Sequence, residues 1–476
     1  MIISFVCTNH VYFSGRGGRF EVFAHAWTKS KHPDEIFEIA DVSSLYPTIA
    51  MKNSFPVGKY EIWTDMQKLE EGIKYCPRRR RHFFNNNVEM IGLAHVQLRA
   101  GEELTEAFHG ILYEDGKIVY GLCYTCAKNR KAVRCRHGKT TRDIIATLIW
   151  PEISFLIRIG YILVHVYEAY QYSSQLPILA DFVKLIGANK LKHSTPSSNQ
   201  SFEEYCKEVN LAMDIPPHFA LNATDIKPDK QKRGYYKDCL VGFLGKFAQQ
   251  NNTKKTVFVR SQSHLRNVFL QEDIYDIFDH GKVCQVVVNT KTKNRNVNRS
   301  ANSIIYSYVM GLSRIFMHEK IIDITCGGGC VYSVQNDCIY FSRKLVIPSP
   351  LQYSEMFGSF KMEVNGPVKT FLAFGNKSSI VEYTVDGQDK LIIKARGFNL
   401  KGHLVQNLLS VDLFKLMMLE LQEKKRIRIK IPQVQNRRNL TKCSFGELII
   451  FQELSNELVT DRIILENLCT MPFGLK

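Results

Sequence analysis

The sequence predicts an α+β fold built on an antiparallel sheet, and three observations carry that prediction. Residues 36–40 read as a strand that ends in a carboxylate, Asp41. Residues 333–338 read as a hairpin with Asn336 and Asp337 in its turn, and a hairpin pairs antiparallel strands. Between these segments, residues 202–211 and 232–250 have helical periodicity.

The size and charge of the chain limit its functional class. Its 476 residues can form several cores, which favours a multi-subdomain enzyme over a single small module. Lys and Arg number 63 against 46 Asp and Glu, and the resulting charge of +17 suits a polyanionic partner such as nucleic acid. The 13 scattered cysteines favour a reducing, intracellular compartment, cytoplasmic or nuclear, over a disulfide framework.

The sequence argues against a membrane or secreted protein. Residues 144–166 form the longest apolar stretch, but Pro151, Glu152 and Arg158 interrupt it, and no uncharged apolar run reaches about eighteen residues. Residues 1–7 are apolar without a basic region or a clear cleavage site. We therefore expect neither an anchor nor a signal peptide.

The remaining elements follow from local composition. Glycines at 15–18 predict a loop before the first strand, and Pro, Ser and Asn at 193–199 predict a break before the helices. The other predicted elements are a hairpin at 114–116, a helix at 303–318 behind the sheet that bears Asp337, a flexible glycine turn at 326–330, a helix at 405–421 and a basic strand at 424–430.

Two acids brought together by the fold would suit nucleotidyl transfer. Two divalent cations must bridge the attacking oxygen, the transferred phosphate and the leaving group, and carboxylates hold such cations. Asp41 and Asp337 are the candidates. The alternative is structural: Asn-Asp is common in hairpin turns, and Asp-x-x-Ser is often a helix cap.

A third segment lies between the two acids in the chain. Lys237, Val241, Leu244 and Gly245 fall on one face of a predicted helix. A lysine there would neutralise a triphosphate, and the glycine would let a base pair approach the backbone. The alternative is an amphipathic core helix with a solvated lysine.

Taken in order, these segments resemble motifs A, B and C of family B DNA polymerases. Residues 41–47 match the Asp-x-x-Ser-Leu-Tyr-Pro form of motif A at every specified position. Residues 237–245 resemble Lys-x-x-x-Asn-Ser-x-Tyr-Gly of motif B through Lys237 and Gly245. Residues 335–338 resemble Asp-Thr-Asp-Ser of motif C through Asp337.

Further segments are similar to the protein-primed branch, closest to polymerases of Polinton (Maverick) elements and related viruses. Gly17, Gly18 and Arg19 resemble the glycine motif that precedes the palm in that branch. The other matching segments are residues 55–58, 122–127, 151–152, 167–168, 366–371, 394–397 and 471–474. Together they cover nearly the whole chain.

The resemblance implies a right-hand polymerase of palm, fingers and thumb that extends a primer on a DNA template with dNTPs. Asp41 and Asp337 would be catalytic and hold two Mg²⁺, for which Mn²⁺ substitutes, with the Val42 carbonyl as a further ligand. The ring of Tyr46 would exclude a ribose 2′-hydroxyl. The nucleotide-binding residues would be Leu45, Tyr46, Lys237 and Gly245, and the DNA-binding residues Gly17, Gly18, Arg19, Lys369 and Lys394. A terminal protein would supply the priming hydroxyl.

The same resemblance divides the chain into subdomains. These are an initial segment with the glycine motif (1–40), a first palm part (41–60), an inserted region with the cysteines (61–193), the fingers (194–255), a second palm part (256–402) and the thumb (403–476). Only 40 residues precede Asp41, so we expect the exonuclease domain of the relatives to be absent from this chain.

Departures from the family pattern cluster at the expected active site. Gln335 replaces the first acid of motif C and Cys338 its serine; Val241 and Leu244 replace the Asn and Tyr of motif B, and Phe371 replaces a tyrosine near the primer end. The alternative function is therefore a catalytically disabled relative that binds nucleic acid or a partner protein.

Two secondary features remain. Cys123, Cys126, Cys135 and His137 have the ligand types of a structural zinc site, and the alternative is a set of buried reduced cysteines. The basic runs at 78–81 and 291–299 predict salt-sensitive DNA binding, although such runs are often solvated loops.

Overall fold

A computed structural model describes most of the chain. The described residues are 17–64, 73–76, 81–84, 90–108, 110–112, 118–130, 134–196, 200–248, 254–289, 301–398, 409–423, 425–439, 444–455, 457 and 461–476. They form two compact units. The first contains residues 1–245, 303–393 and 458–476, and the second contains residues 246–302 and 394–457.

Helices and strands alternate irregularly along the chain. The strands are β1 (Phe20–Val22), β2 (Ala26–Thr28), β3 (Glu35–Val42), β4 (Phe55–Trp63), β5 (Ile73–Cys76), β6 (Arg81–Phe84), β7 (Gly92–Ala100), β8 (Gly110–Leu112), β9 (Ile118–Tyr120), β10 (Ile144–Ile149), β11 (Tyr161–Leu176), β12 (Lys254–Val259), β13 (Asp273–Asp279), β14 (Cys284–Asn289), β15 (Cys330–Gln335), β16 (Cys338–Lys344), β17 (Phe360–Met362), β18 (Val368–Gly375), β19 (Ser378–Val385), β20 (Gln388–Lys394), β21 (Arg428–Asn439), β22 (Ser444–Ser455), β23 (Ile463–Ile464) and β24 (Thr470–Met471). The helices are α1 (Leu45–Lys52), α2 (Tyr124–Lys128), α3 (Lys139–Arg142), α4 (Trp150–Arg158), α5 (Ala180–Lys192), α6 (Phe202–Ala212), α7 (Lys230–Phe247), α8 (Gln262–Gln271), α9 (Ser303–Cys326) and α10 (Val411–Gln422), with 3-10 turns at Pro217–Phe219 and Ala223–Asp225.

The central sheet of the first unit has the strand order β1-β15-β16-β3-β17, and every neighbouring pair is antiparallel. The predicted strand at 36–40 is β3, and the predicted hairpin is β15–β16. Helix α9 packs against β15 and α1, and it runs eight residues past the predicted end at 318 to residue 326. The α+β class with an antiparallel sheet is therefore confirmed.

A second sheet, β10-β7-β11-β4, occupies the region that the sequence described only as an insertion. Its core contains Val96, Leu148 and Leu163, and α4 adds Trp150 and Leu156. The predicted hairpin at 114–116 lies outside the described residues, and the flanking strands β8 and β9 pair antiparallel.

A third sheet, β2-β18-β19-β20, shares a core with the central sheet. Phe371 of β18 is fully buried there, with ring centroids 5.1 Å from Phe37 and 5.2 Å from Tyr340. Because aromatic rings surround it, a phenylalanine fits this position without the hydroxyl of the family's tyrosine.

Three helices stand beside the central sheet. Helix α6 begins at Phe202 because the Ser201 side chain accepts a hydrogen bond from the Glu204 amide (3.2 Å), while the Glu204 carboxylate accepts one from the Ser201 amide (3.1 Å). Helix α5 packs on α1, and α7 contacts α5 through the rings of Phe243 and Phe182, 5.0 Å apart. The sequence analysis predicted α6 and α7 and did not identify α5.

The second unit contains the sheet β12-β14-β13 with α8, the hairpin β21–β22 and α10. The helix predicted at 405–421 is described from residue 411 onward, and the basic strand predicted at 424–430 begins at 428 and extends to 439. The sequence assigned 403–476 to one subdomain, but residues 458–476 belong to the first unit. Among the described residues, no helix is long and apolar enough to cross a membrane.

Candidate active site

The site is built on a row of residues that runs across the central sheet. Asp41 lies opposite Cys338 on one side and Lys361 on the other, and Gln335 lies opposite Cys338 on the next strand. Residues directly opposite one another in antiparallel strands project to the same face. The pairing therefore places Asp41 between a thiol and a lysine, with Gln335 two strands away.

The hairpin turn brings Asp337 to the end of β3. Asn336 takes a left-handed conformation (φ +66), which an asparagine tolerates in a tight turn. The Val42 amide donates to the Asp337 carbonyl at 2.8 Å. This bond fixes the turn directly beside Asp41, as the sequence prediction requires.

The two acids share one electrostatic environment. Burial, helped by the charges of Asp337 and Glu363 and opposed by Lys361, raises the pKa of Asp41 to about 6. The Lys361 ammonium lies 3.3 Å from the Asp41 carboxylate and 3.9 Å from that of Glu363. Without a metal ion, Lys361 is thus the cation that partly neutralises this group of acids.

The glycine motif packs against the same turn. The Asn336 amide donates to the Arg19 carbonyl at 2.7 Å, and the Tyr46 hydroxyl donates to the Asn336 side chain. A Cβ at Gly18 would lie 1.8 Å from Asn336 Oδ1 and 2.8 Å from Tyr46 Oη. Only glycine fits there, so Gly18 supports the turn that carries Asp337.

Tyr46 is held in its neutral form. Burial raises its pKa to about 12, and the nearby Asp337 charge acts in the same direction. The phenol therefore remains a donor to Asn336 at physiological pH.

One cavity of about 650 Å³ collects most of the predicted site. Six predicted residues line it: Asp41, Val42, Leu45, Tyr46, Lys237 and Asp337. Four cations that the sequence analysis missed line it as well: Lys190, Lys230, Arg233 and Lys361. The cavity therefore places carboxylates and several cations around one space.

Lys190 is the most constrained of these cations. Its side chain is 8% exposed, its ammonium donates to Ser44 Oγ at 2.8 Å, and it lies 4.7 Å from the centre of the Phe357 ring. Burial, together with the charges of Arg233 and Lys237, lowers the pKa of Lys190 to about 8. A buried lysine crowded by cations is stabilised when an anion enters.

Three predicted site residues lie elsewhere. Gly245 does not line the cavity, and a Cβ there would meet no described atom within 4 Å. Lys369 forms an ion pair with Asp389 at 2.7 Å on the surface. Lys394 ends β20 and falls in the second unit.

The prediction that Arg19 contacts DNA is wrong for its side chain. Arg19 is 2% exposed, and its guanidinium donates to Glu21 at 2.6 Å, to the Ala107 carbonyl at 2.9 Å and to His318. A buried guanidinium needs such partners, so this side chain stabilises β1 instead. Gly17 remains at the surface, and its carbonyl accepts from Arg314 at 3.1 Å.

The departures from the family pattern have different environments. Gln335 is 6% exposed, and its Nε2 has no hydrogen-bond partner among the described residues, while Cys338, in the middle of the row, is buried in the core that the central and third sheets share. On α7, Val241 is 59% exposed and lines the cavity, and Leu244 is buried. Only Gln335 leaves a polar group unsatisfied.

A separate cluster forms from the predicted zinc ligands. The ligand atoms of Cys123, Cys126, Cys135 and His137 all lie within 4.8 Å of one another.

The predicted basic runs cannot be placed: residues 78–80 and 291–299 lie outside the described residues, as does the side chain of Arg81.

Comparisons with known proteins found one matching family and several solved structures with a similar fold. Residues 8–207 match the family described as DNA polymerase type B, organellar and viral. The fold is similar to that of Phi29 DNA polymerase in a ternary complex with primer-template DNA and incoming nucleotide substrates (12% identity, TM-score 0.56, covering 95% of this chain and 63% of that one). It is also similar to Phi29 DNA polymerase in an orthorhombic crystal form (12% identity, TM-score 0.56, with the same coverage of 95% and 63%).

The chain thus spans less than two thirds of the length of these solved structures. No curated protein matches it.

The raised pKa of Asp41 predicts that metal binding depends on pH. Protons compete with the metal for this carboxylate, so Mn²⁺ affinity should be constant above about pH 7 and fall up to about tenfold per unit below the pKa of about 6.

In the metal-free chain, a carboxyl whose pKa is raised by folding stabilises the fold below its unfolded value of 3.8, and that stability should be lost as pH rises through about 6.

Calorimetric titration of Mn²⁺ between pH 5 and 8 measures this affinity. Lys361→Met removes the cation that lowers the pKa of Asp41, so the pH midpoint should move upward in this variant. An affinity that does not change between pH 5 and 8 would contradict the assignment of Asp41 as a ligand.

Proposed function

We propose that this chain is a protein-primed type B DNA polymerase and that it catalyses template-directed deoxynucleotidyl transfer by a two-metal mechanism. The match of residues 8–207 to the organellar and viral type B family and the similarity of the fold to Phi29 DNA polymerase support this proposal. The observation that carries the proposal is the cavity in which Asp41 and Asp337 face Lys190, Arg233 and Lys237. Carboxylates beside a set of cations suit a substrate that brings both divalent metals and a triphosphate.

Asp41 and Asp337 are the residues that would hold two Mg²⁺ or Mn²⁺ ions at the end of β3. A primer hydroxyl attacks the α-phosphate, its oxygen forms the new phosphodiester bond, its proton passes to solvent, and pyrophosphate leaves. When bound, the two metals would supply activation of the attacking oxygen and charge stabilisation of the leaving group. Asp41 and Asp337 provide carboxylate oxygens, and the Val42 carbonyl adds a further one.

Lys361 holds the acids together until metal arrives. Its ion pair with Asp41 must open when a divalent cation takes that carboxylate. The charge of Glu363 also acts on Asp41, from the side of the row opposite Gln335. Glu363 therefore offsets the negative charge that is lost because Gln335 replaces an acid. The loss of one motif C acid is therefore compatible with activity.

The cations of α5 and α7 bind the triphosphate. Lys237 and Arg233 lie on α7 and Lys190 lies on α5, and all three line the cavity. The Tyr46 ring, fixed by Asn336, lies under the deoxyribose and excludes a 2′-hydroxyl. Leu45 is buried behind it at 2% exposure.

The DNA partners and the subdomains follow from the same proposal. The central sheet acts as palm, α5 and α7 as fingers, and α10 with β21–β22 as thumb. Phi29 DNA polymerase has been solved with primer-template DNA and incoming nucleotides, and we assign the same ligands to this chain. Gly17 and Gly18 lie on the DNA side of the palm, and Lys369 and Lys394 contact the duplex.

Initiation uses a terminal protein whose hydroxyl acts as primer, in an intracellular viral or Polinton-type replication system. A structural Zn²⁺ at the Cys123–His137 cluster completes the metals and takes no part in the chemistry.

Primer extension by the purified full chain tests the proposal. With Mg²⁺ or Mn²⁺, a templated primer should gain only the complementary deoxynucleotide, because the metals organise both reactants. Asp337→Ala should reduce incorporation at least about a thousandfold, by analogy with losing a main electrostatic element of a site. Arg158→Ala, which removes a surface ion pair with Glu319 (2.6 Å), serves as the folded control and should retain metal-dependent chemistry.

The disabled alternative has its own signature. Its motivation is the unsatisfied Gln335 amide and the Lys361–Asp41 ion pair. DNA binding by the wild-type chain without any metal-dependent incorporation would support that alternative and contradict the polymerase proposal.

Lys190 supplies a second prediction. Charge-assisted hydrogen bonds contribute about 1.5–3 kcal/mol, so Lys190→Met should raise the KM for dNTPs about 10- to 100-fold. Lys184→Met is the matched control, since Lys184 lies on the same helix but pairs with Asp214 at 2.7 Å. Steady-state incorporation kinetics measure both, and equal KM values in the two variants would contradict a triphosphate role for Lys190.

A further inference from the structure

We propose that Zn²⁺ at Cys123, Cys126, Cys135 and His137 fastens the C-terminal segment, residues 461–476, to the first unit. The proposal deepens the zinc assignment made above, and it does not depend on polymerase activity. It rests on the geometry of the four ligands and on where the last residues of the chain make their hydrogen bonds.

The ligand atoms are spaced as a tetrahedral site requires. His137 Nδ1 lies 3.5 Å from Cys123 Sγ, 3.2 Å from Cys126 Sγ and 3.6 Å from Cys135 Sγ. Zn–S bonds of about 2.3 Å and a Zn–N bond of about 2.05 Å give a tetrahedral S–N separation of about 3.5 Å. Three sulfurs at nearly this distance from one nitrogen surround a space of the right size for Zn²⁺.

The surroundings also suit thiolate ligands. Arg142, at 5% exposure, donates from Nη1 to Cys135 Sγ at 2.8 Å and from Nη2 to the Leu122 carbonyl at 3.3 Å. Three thiolates with Zn²⁺ carry one net negative charge, which this guanidinium balances. A set of three sulfurs and one nitrogen selects Zn²⁺ over the hard cations Mg²⁺ and Ca²⁺.

The C-terminal segment is bound to the ligand residues themselves. The Leu122 amide donates to the Phe473 carbonyl at 2.7 Å, and the Cys135 amide donates to the Leu475 carbonyl at 3.0 Å. Gly474 has φ +90, and a Cβ there would lie 2.3 Å from the Cβ of Cys123. Both cysteine loops therefore close around residues 473–475.

The same segment continues to the strand beside motif C. The Thr470 amide donates to the Phe23 carbonyl at 2.7 Å, and its hydroxyl donates to the Val22 carbonyl at 2.7 Å. Arg462, buried at 3% exposure, pairs with Glu21 of β1 and with Glu106 at 2.8 Å. Since β1 pairs with β15, the C-terminal segment joins the zinc cluster to the strand that leads into Asp337.

The segment has little other regular structure to hold it. Its strands β23 and β24 form a hairpin with two residues in each strand, and the segment makes two isolated bridges besides, Cys469 with Ala24 and Phe473 with Gly121. So short a hairpin is not stable alone. Removing the metal should therefore loosen residues 469–475 first, and loosening these residues should in turn weaken metal binding, because the coupling between two linked equilibria is reciprocal.

The first arm of the test measures metal by elemental analysis of the full chain. The wild type, equilibrated with Zn²⁺ in excess Mg²⁺ and then desalted, should hold one Zn²⁺ per chain, and Cys126→Ser should hold at most about a tenth as much. Cys206→Ser, which alters another buried cysteine, is the control and should hold one. A wild type without zinc, or a Cys126→Ser variant that retains it, overturns the proposal.

The second arm uses hydrogen exchange and needs no variant to fold. Chelating the zinc from wild-type protein should speed amide exchange in residues 469–475 at least tenfold, while exchange in α6 should be unchanged.

A third arm uses a variant: Gly474→Ala should weaken zinc affinity at least tenfold in a competition titration with a chromogenic chelator. Zinc binding with unchanged exchange in 469–475 would leave a zinc site but overturn the fastening role, and loss of polymerase activity alone would bear on neither result.

Discussion

The antiparallel pairing of β3 with β16 is the constraint on which the site depends. Its register places Asp41 opposite Cys338, and the bond from the Val42 amide to the Asp337 carbonyl sets the hairpin turn at the strand end. A slip of one residue would turn Asp41 to the other face of the sheet and separate it from Asp337. Gly18 stabilises the same register, because it leaves room for the Asn336 side chain beside Tyr46.

Electrostatics then accounts for the contents of the cavity. Burial and the neighbouring acids raise the pKa of Asp41 to about 6, and burial and the neighbouring cations lower the pKa of Lys190 to about 8. Each cluster of like charges is unfavourable without a partner of opposite charge. The Lys361–Asp41 ion pair relieves only part of the repulsion among the acids. A metal-bound triphosphate supplies divalent charge to the acids and phosphate charge to the cations, so one ligand relieves both.

Sequence reasoning located the acids because short motifs encode them locally. A strand that ends in Asp41 and a hairpin turn that holds Asp337 are readable from neighbouring residues, and the shared chemistry implied their proximity. Lys190 was missed because its role depends on α5 packing against α1, a tertiary contact with no local signature. Arg19 was misassigned for a related reason: Glu21 and His318 bury it, and His318 is distant in sequence. The cysteine and histidine ligands were recognised from their spacing, whereas their contact with residues 473–475 was not.

The most direct test of the central claim is a crystal structure of the chain with Mn²⁺, primer-template DNA and a non-hydrolysable dNTP analogue. Anomalous scattering should show two manganese ions about 3.5–4 Å apart, both bound between Asp41 and Asp337, with Lys361 withdrawn from Asp41. The triphosphate should contact Lys190 and Lys237. Manganese bound away from these carboxylates, with the Lys361–Asp41 ion pair still closed around an ordered nucleotide, would contradict the account.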